Sequence, residues 1–149
     1  MTQASLPFAD GRAVAEVTVF CDGGSRGNPG PAAIGAVVLD ATTDPPAQIA
    51  TVSEYIGETT NNVAEYRALI AGLEAAAPFN AHTVHVRADS LLVIKQLRGE
   101  YRVKHANLRP LHEEVRALLR AYRVADLQHV PRAQNAEADA LVNAALDAR

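Results

Sequence analysis

The sequence predicts an α/β domain in which helices cover a mixed β-sheet. Three apolar, β-branched runs follow one another early in the chain, at 14–21, 32–39 and 49–56. Two more, at 83–87 and 124–130, alternate with segments of helical periodicity. Short turn-rich connections join the first three, which suits antiparallel pairing, whereas strands separated by helices extend the sheet by crossovers. At 149 residues the chain is long enough for one substantial core.

Residues 1–13 show no apolar periodicity and are expected to form a flexible leader, leaving 14–149 as a single domain. The first strand, 14–21, runs into Asp22 and a tract of glycines that ends at Gly30, and the second strand follows at 32–39. Asp44-Pro45-Pro46 marks a loop over 41–47 before a third, more exposed strand that ends at Gly57. Thr59, Thr60, Asn61 and Asn62 are capping candidates for a helix over 63–77, rich in alanine, leucine and glutamate, and Pro78 ends it. In 83–87, Val84 and Val86 share one face of a fourth strand. A helix at 91–97 closes at Gly99, and 107–122 carries Leu108, Leu111, Val115, Leu118 and Leu119 at helical spacing. A strand at 124–130, a loop at 131–134 and a helix at 135–148 complete the order β-β-β-α-β-α-α-β-α.

Composition narrows the function classes. With 48% apolar and 21% charged residues, the chain is globular rather than disordered or fibrous. The N-terminal residues lack the basic and apolar regions of a signal peptide, and no run approaches membrane-spanning length; with a single cysteine and so no intramolecular disulfide, the reducing cytoplasm is the expected compartment. Cys21 is the single cysteine and reads as a small core residue. The net charge of −3 argues mildly against a nucleic-acid partner. Locally the balance reverses: Lys95, Arg98, Arg102, Lys104 and Arg109 stand against Glu100 alone.

Four acids occupy positions that carboxylates avoid. Asp22 follows an apolar strand, where an ionised carboxylate is costly without a partner. Taken alone, it fits a tight turn as well as a site. Glu65 shares a helix face with Leu69, Gly72 and Ala76, and Asp139 projects beside Val142 and Leu146. Either could complement a helix dipole, and Asp89, at the carboxyl end of the fourth strand, could be an N-cap. Four incidental placements would have to coincide. Crowded carboxylates raise one another's pKa values, and divalent cations remove that difficulty. Oxygen ligands without clustered Cys or His favour Mg²⁺ or Mn²⁺, and two such ions roughly 4 Å apart are the usual apparatus of phosphodiester displacement. Adding the four charges of two divalent ions to −3 gives +1, so the acidic balance weighs little.

The segments Asp22-Gly-Gly-Ser-Arg-Gly-Asn-Pro-Gly30, Thr60-Asn-Asn-Val-Ala-Glu-Tyr66, Asp89-Ser90 and Pro131-Arg-Ala-Gln-Asn-Ala-Glu-Ala-Asp139 resemble type 1 ribonuclease H, in order and spacing, over about residues 16–148. The resemblance implies a five-stranded mixed sheet of order 3-2-1-4-5. It also implies endonucleolytic cutting of the RNA strand of RNA–DNA hybrids, leaving 5′-phosphate and 3′-hydroxyl ends, with two Mg²⁺ ions per site and Mn²⁺ as a substitute. Asp22 would bridge both ions, Asp139 would help hold the one that activates water, and Glu65 and Asp89 would hold the one at the leaving oxygen. The main chain near Gly23 to Gly27 would approach the RNA sugar edge. Asn28, Asn61 and Asn62 would meet the minor groove, Thr60 a DNA phosphate and Ser90 the RNA strand, with Asn135 also a substrate contact; Asn61 and Asn62 also read as helix caps.

Two departures from the family pattern stand out. Arg132 follows Pro131 in the loop where many bacterial members carry a histidine, and it would assist the leaving phosphate without shuttling protons. His129 reads instead as a core or strand residue. There is no Trp and no long basic protrusion, so the basic segment at 95–109 would grip the hybrid, and the protein is expected to act as a monomer. A catalytically idle hybrid-binding module and a DNA-cutting nuclease of the same fold are the alternatives.

Overall fold

The computed structural model describes residues 13–149, and the leader expected at 1–13 lies, but for Ala13, outside the described residues. Strands β1 (Glu16–Ser25), β2 (Gly30–Asp40) and β3 (Ala47–Thr59) precede helix α1 (Asn61–Ala76) and strand β4 (Thr83–Ala88). Helices α2 (Leu91–Leu97) and α3 (Arg109–Leu119), strand β5 (Val124–His129) and helix α4 (Ala136–Ala148) follow. The five strands form one sheet in the order β3-β2-β1-β4-β5. β1, β2 and β3 pair antiparallel, while β4 runs parallel to both β1 and β5. This is the mixed sheet that three strands in succession, followed by alternation with helices, require.

Alternation along each strand divides the residues between two layers. Val17, Val19 and Cys21 of β1 and Val84, Val86 and Ala88 of β4 join Tyr66, Leu69 and Leu73 of α1 and Val93 and Ile94 of α2 in the main core. Val115 of α3 closes that layer. Across the sheet, Ala33 of β2 packs with Val142 and Leu146 of α4 in a smaller cluster. Tyr66 anchors α1 from within: its hydroxyl donates to Gln96 Oε1 at 2.6 Å, satisfying a polar pair that burial would otherwise penalise. Cys21 is buried, as its apolar surroundings in the sequence suggest, and burial pushes its thiol pKa up.

Several boundaries differ from the sequence expectation, each for a local reason. β1 extends to Ser25, so Asp22 lies inside the strand and the turn to β2 occupies 26–29. Gly23 and Gly24 are therefore strand residues paired with Ile34 and Ala33. β3 continues past Gly57 to Thr59; Gly57 has φ +86°, and the register with β2 shifts beside it, as at a bulge. α3 is shorter than 107–122 because Pro110 occupies its first turn and Leu108 serves as its N-cap. The loop expected at 131–134 is a short 3₁₀ turn over Arg132–Asn135 that leads into α4.

Candidate active site

Two glycines determine how closely the acid-bearing helices approach the sheet. A Cβ at Gly23 would collide with the Ala64 carbonyl of α1, and one at Gly35 would collide with the Ala138 carbonyl of α4. The residues that follow those carbonyls are Glu65 and Asp139. Asp22 pairs with Gly35 and adjoins Gly23, so close contact on both sides delivers the two helix acids to one strand acid. Asp89 arrives separately, one residue beyond β4, the parallel neighbour of β1. Carboxylate oxygens of Asp22, Glu65 and Asp89 lie within 4.8 Å of one another, and Asp139 lines the same groove, near enough to raise the Asp22 pKa. The structure thus brings all four predicted acids into one groove.

Crowding and burial have the expected electrostatic effect. Asp22 is only 7% exposed. Burial, then the charges of Asp89 and Asp139, raise its pKa from 3.8 to about 7. For Glu65, burial followed by the Asp22 charge raises the value from 4.5 to about 8, although the Gly23 amide, donating to Oε1 at 2.8 Å, opposes that shift. Such a donor set, all oxygen and mutually repelling, suits a hard divalent cation, whose charge reverses the penalty.

The other predicted residues divide into those that face the groove and those that support it. Arg132 is 83% exposed, and its Nε lies 3.7 Å from Asp89 Oδ2, close enough to lower the pKa values of Asp22 and Glu65 but too far for a hydrogen bond. Thr60 caps α1, its hydroxyl accepting from the Val63 amide at 3.3 Å, and Ser90 caps α2 by accepting from Val93 at 3.4 Å. Asn28 Oδ1 accepts from the Asn61 amide at 3.0 Å, and Asn61 Oδ1 accepts from the Ser25 amide and hydroxyl at 2.8 and 3.1 Å. These residues organise the N-terminus of α1 and leave both side-chain NH₂ groups as donors for a ligand. Asn28, Thr60 and Asn62 line a second depression beside the groove, with His105 and Asn107.

Three further residues have defined places in the structure. Gly23 is buried, its amide is engaged by Glu65, and its lack of a side chain lets α1 pack closely on β1. Asn135 is 1% exposed and turns inward: its Nδ2 donates to the Cys21 carbonyl at 2.9 Å and reaches Asp89 Oδ1 at 3.5 Å. It braces the end of β1 against Asp89 from within. His129 ends β5, as a core or strand residue could, and it is exposed and lines the acidic groove. Its pairing with Ala88, beside Asp89, places it there. Sequence reasoning also passed over Arg26 and Asn143, which line the groove as well. Asn143 lies four residues after Asp139, and that helical spacing was its available signal.

Comparison with known proteins agrees with this geometry. The model of the family described as reverse transcriptase-like matches residues 20–145. The bifunctional protein Rv2228c of Mycobacterium tuberculosis is 47% identical over 133 residues, covering 89% of this chain and 36% of that protein. Ribonuclease HI of Halobacterium salinarum is 47% identical over 131 residues, 88% of this chain and 64% of that one. The chain therefore spans between about a third and two thirds of these relatives. Among solved structures, the N-terminal RNase H domain of Rv2228c, determined as a maltose-binding-protein fusion, superposes with TM-score 0.86, covering 90% of this chain and 95% of that one at 47% identity. LC11-RNase H1 in complex with an RNA/DNA hybrid gives 0.81, covering 89% and 97% at 41% identity. With matching motifs, sheet order and relatives, the chain belongs to the reverse transcriptase-like family and, within it, to the type 1 ribonuclease H group.

Proposed function

We propose that the protein is a metal-dependent endoribonuclease that cleaves the RNA strand of RNA–DNA hybrids, giving 5′-phosphate and 3′-hydroxyl ends. The observation that carries this reading is the convergence of Asp22, Glu65 and Asp89 within 4.8 Å, with Asp139 opposite, in an open groove. A binding module gains nothing from carboxylates held at such cost. Asp22, with Glu65 and Asp89 on one side and Asp139 on the other, would hold two Mg²⁺ ions, with Mn²⁺ as a substitute. Bound there, they would supply Lewis-acid charge to a phosphate and lower the pKa of water. The chain's own groups do the rest. Glu65 is oriented by the Gly23 amide, Asn135 braces Asp89, and Arg132 offers a permanently charged guanidinium at the groove mouth for the departing phosphate.

Selection of a hybrid would rest on the N-termini of α1 and α2 and on the basic segment. The free amides of Asn28 and Asn61, together with Asn62, would read the minor groove; Thr60 would meet a DNA phosphate and Ser90 the RNA strand. Lys95, Arg98, Arg102, Lys104 and Arg109 would neutralise backbone phosphates in place of a longer protrusion. The hybrid-bound LC11-RNase H1, at 41% identity, supports this partner. No helix among the described residues is long and apolar enough to cross a membrane, and the proposed setting is a cytoplasmic monomer. The test is an RNA–DNA hybrid, a DNA duplex and a branched DNA, each strand labelled in turn and incubated with Mg²⁺. Cutting confined to the RNA strand is expected. Cutting of DNA, or binding without cutting, would overturn the reading.

A further inference from the structure

Two hydrogen-bonded connections leave the end of β1, one toward each acid-bearing helix. The first joins Ser25 to Asn61, four residues before Glu65 on α1. The second joins Arg26 to α4. Arg26 Nη1 pairs with Asp147 Oδ1 at 2.8 Å, and Nη2 donates to Asn143 Oδ1 at 3.3 Å. Asn143 Nδ2 donates in turn to the Asp139 carbonyl at 3.2 Å and reaches its carboxylate Oδ2 at 3.4 Å. Asn143 and Asp147 follow Asp139 by one and two helical steps of four, so all three share a face of α4. Arg26 has a fixed base: its amide donates to the Pro31 carbonyl at 2.8 Å across the turn.

We propose that Arg26 and Asn143 form a positioning pair that aims the Asp139 carboxylate at Asp22. Asp139 needs such a device more than the other acids do. Glu65 is held by the Gly23 amide and Asp89 by Asn135, whereas Asp139 stands outside the trio whose oxygens converge within 4.8 Å. A carboxamide offers an acceptor at one end and donors at the other, and either end can face a neighbour. Guanidinium groups only donate, so Arg26 requires Asn143 to present its oxygen to the arginine and its NH₂ to Asp139. The choice of a donor for Asp139 is thereby made two residues away. The Arg26 charge is itself paired with Asp147, so the arginine orients Asn143 without bonding the acids directly.

This inference rests on the reading of the acids as a cation site. The test is calorimetric titration of Mn²⁺ into the wild-type protein and the Arg26→Ala, Asn143→Ala and double variants, with hybrid-cleavage kinetics alongside. Both side chains are exposed, so the variants should fold, and thermal midpoints in chelator verify it. Loss of an orienting partner typically costs 10–100-fold in metal affinity, and about tenfold weaker Mn²⁺ binding is expected for each single variant. The double variant should be no weaker than Asn143→Ala, because both changes break one connection. At limiting Mg²⁺ kcat should fall, recovering at high Mg²⁺, with KM for the hybrid within about twofold of wild type. Unchanged Mn²⁺ affinity in the variants, additive losses, or a raised KM with intact metal binding would overturn the inference alone. Failure of the wild-type protein to bind Mn²⁺ would overturn the functional reading and the inference together.

Discussion

Replacing Asp22 by asparagine should stabilise the metal-free protein while abolishing cleavage. In the folded state Asp22 and Glu65 have pKa values of about 7 and about 8, against 3.8 and 4.5 for the free groups. The native protein therefore binds more protons than the unfolded chain between about pH 4 and 8, and these two groups erode stability as pH rises through that window. The substituted carboxamide cannot ionise and keeps the side-chain shape. The Asp22 shift of about three units corresponds to about 4 kcal/mol at full ionisation. Coupling among the carboxyls and solvent access to the groove reduce the expected gain to about 1–3 kcal/mol. Relief of Glu65, whose second-largest perturbation is the Asp22 charge, adds to it. Urea denaturation of both proteins in chelator, at pH 5 and pH 8, measures the difference. The variant should gain more at pH 8 than at pH 5. A variant no more stable than wild type at pH 8 would refute the claim that uncompensated charge strains this groove.

Other consequences follow from the packing and charge. Gly35→Ala should cost about 1–3 kcal/mol by overpacking against α4, visible as a lower urea midpoint, and should reduce cleavage by displacing Asp139; unchanged stability and activity would contradict the close approach seen at Ala138. Hybrid affinity should fall steeply with salt, and Lys104→Ala should flatten the log–log slope by about one; a slope already near zero would remove the basic segment from the interface. His85 bridges Glu16 at 2.9 Å and Asp126 at 3.1 Å, and the Glu16 bond is the main reason its pKa is raised. Its stabilising effect is complete below the unfolded value of 6.5 and disappears as pH passes the raised folded value. His85→Gln should therefore lower the thermal midpoint at pH 5.5 and leave it nearly unchanged at pH 9; equal losses at both would show that the contacts, not the proton, matter.

The four acids were legible because each broke a local rule, an ionisable group on an apolar face or at a strand end, and because periodicity located those faces. The mixed sheet was legible from the succession of elements, and its strand order from the resemblance to type 1 ribonuclease H. What the sequence hid depends on pairing across long separations. Gly-Gly after Asp22 reads as a turn, and only its ladder with Ala33 and Ile34 makes it strand. Gly35 looked like an ordinary strand residue until α4 was seen to rest on it. Asn135 sits in a motif of polar residues, and nothing local reveals that its amide turns inward toward Cys21, 114 positions away. His129 follows an alternating pattern that does not say which side carries the groove. Arg26 was read as one residue of a glycine tract, since its partners Asn143 and Asp147 lie on the last helix.

The proposed function puts Asp22 between two cation positions in one groove. Anomalous diffraction from crystals of the wild-type protein soaked in Mn²⁺ with a bound RNA–DNA hybrid tests it most directly. Two peaks are expected, both in contact with the Asp22 carboxylate, one also with Glu65 and Asp89 and the other with Asp139. No peak in this groove, or a single peak that leaves Asp139 without a cation, would contradict it.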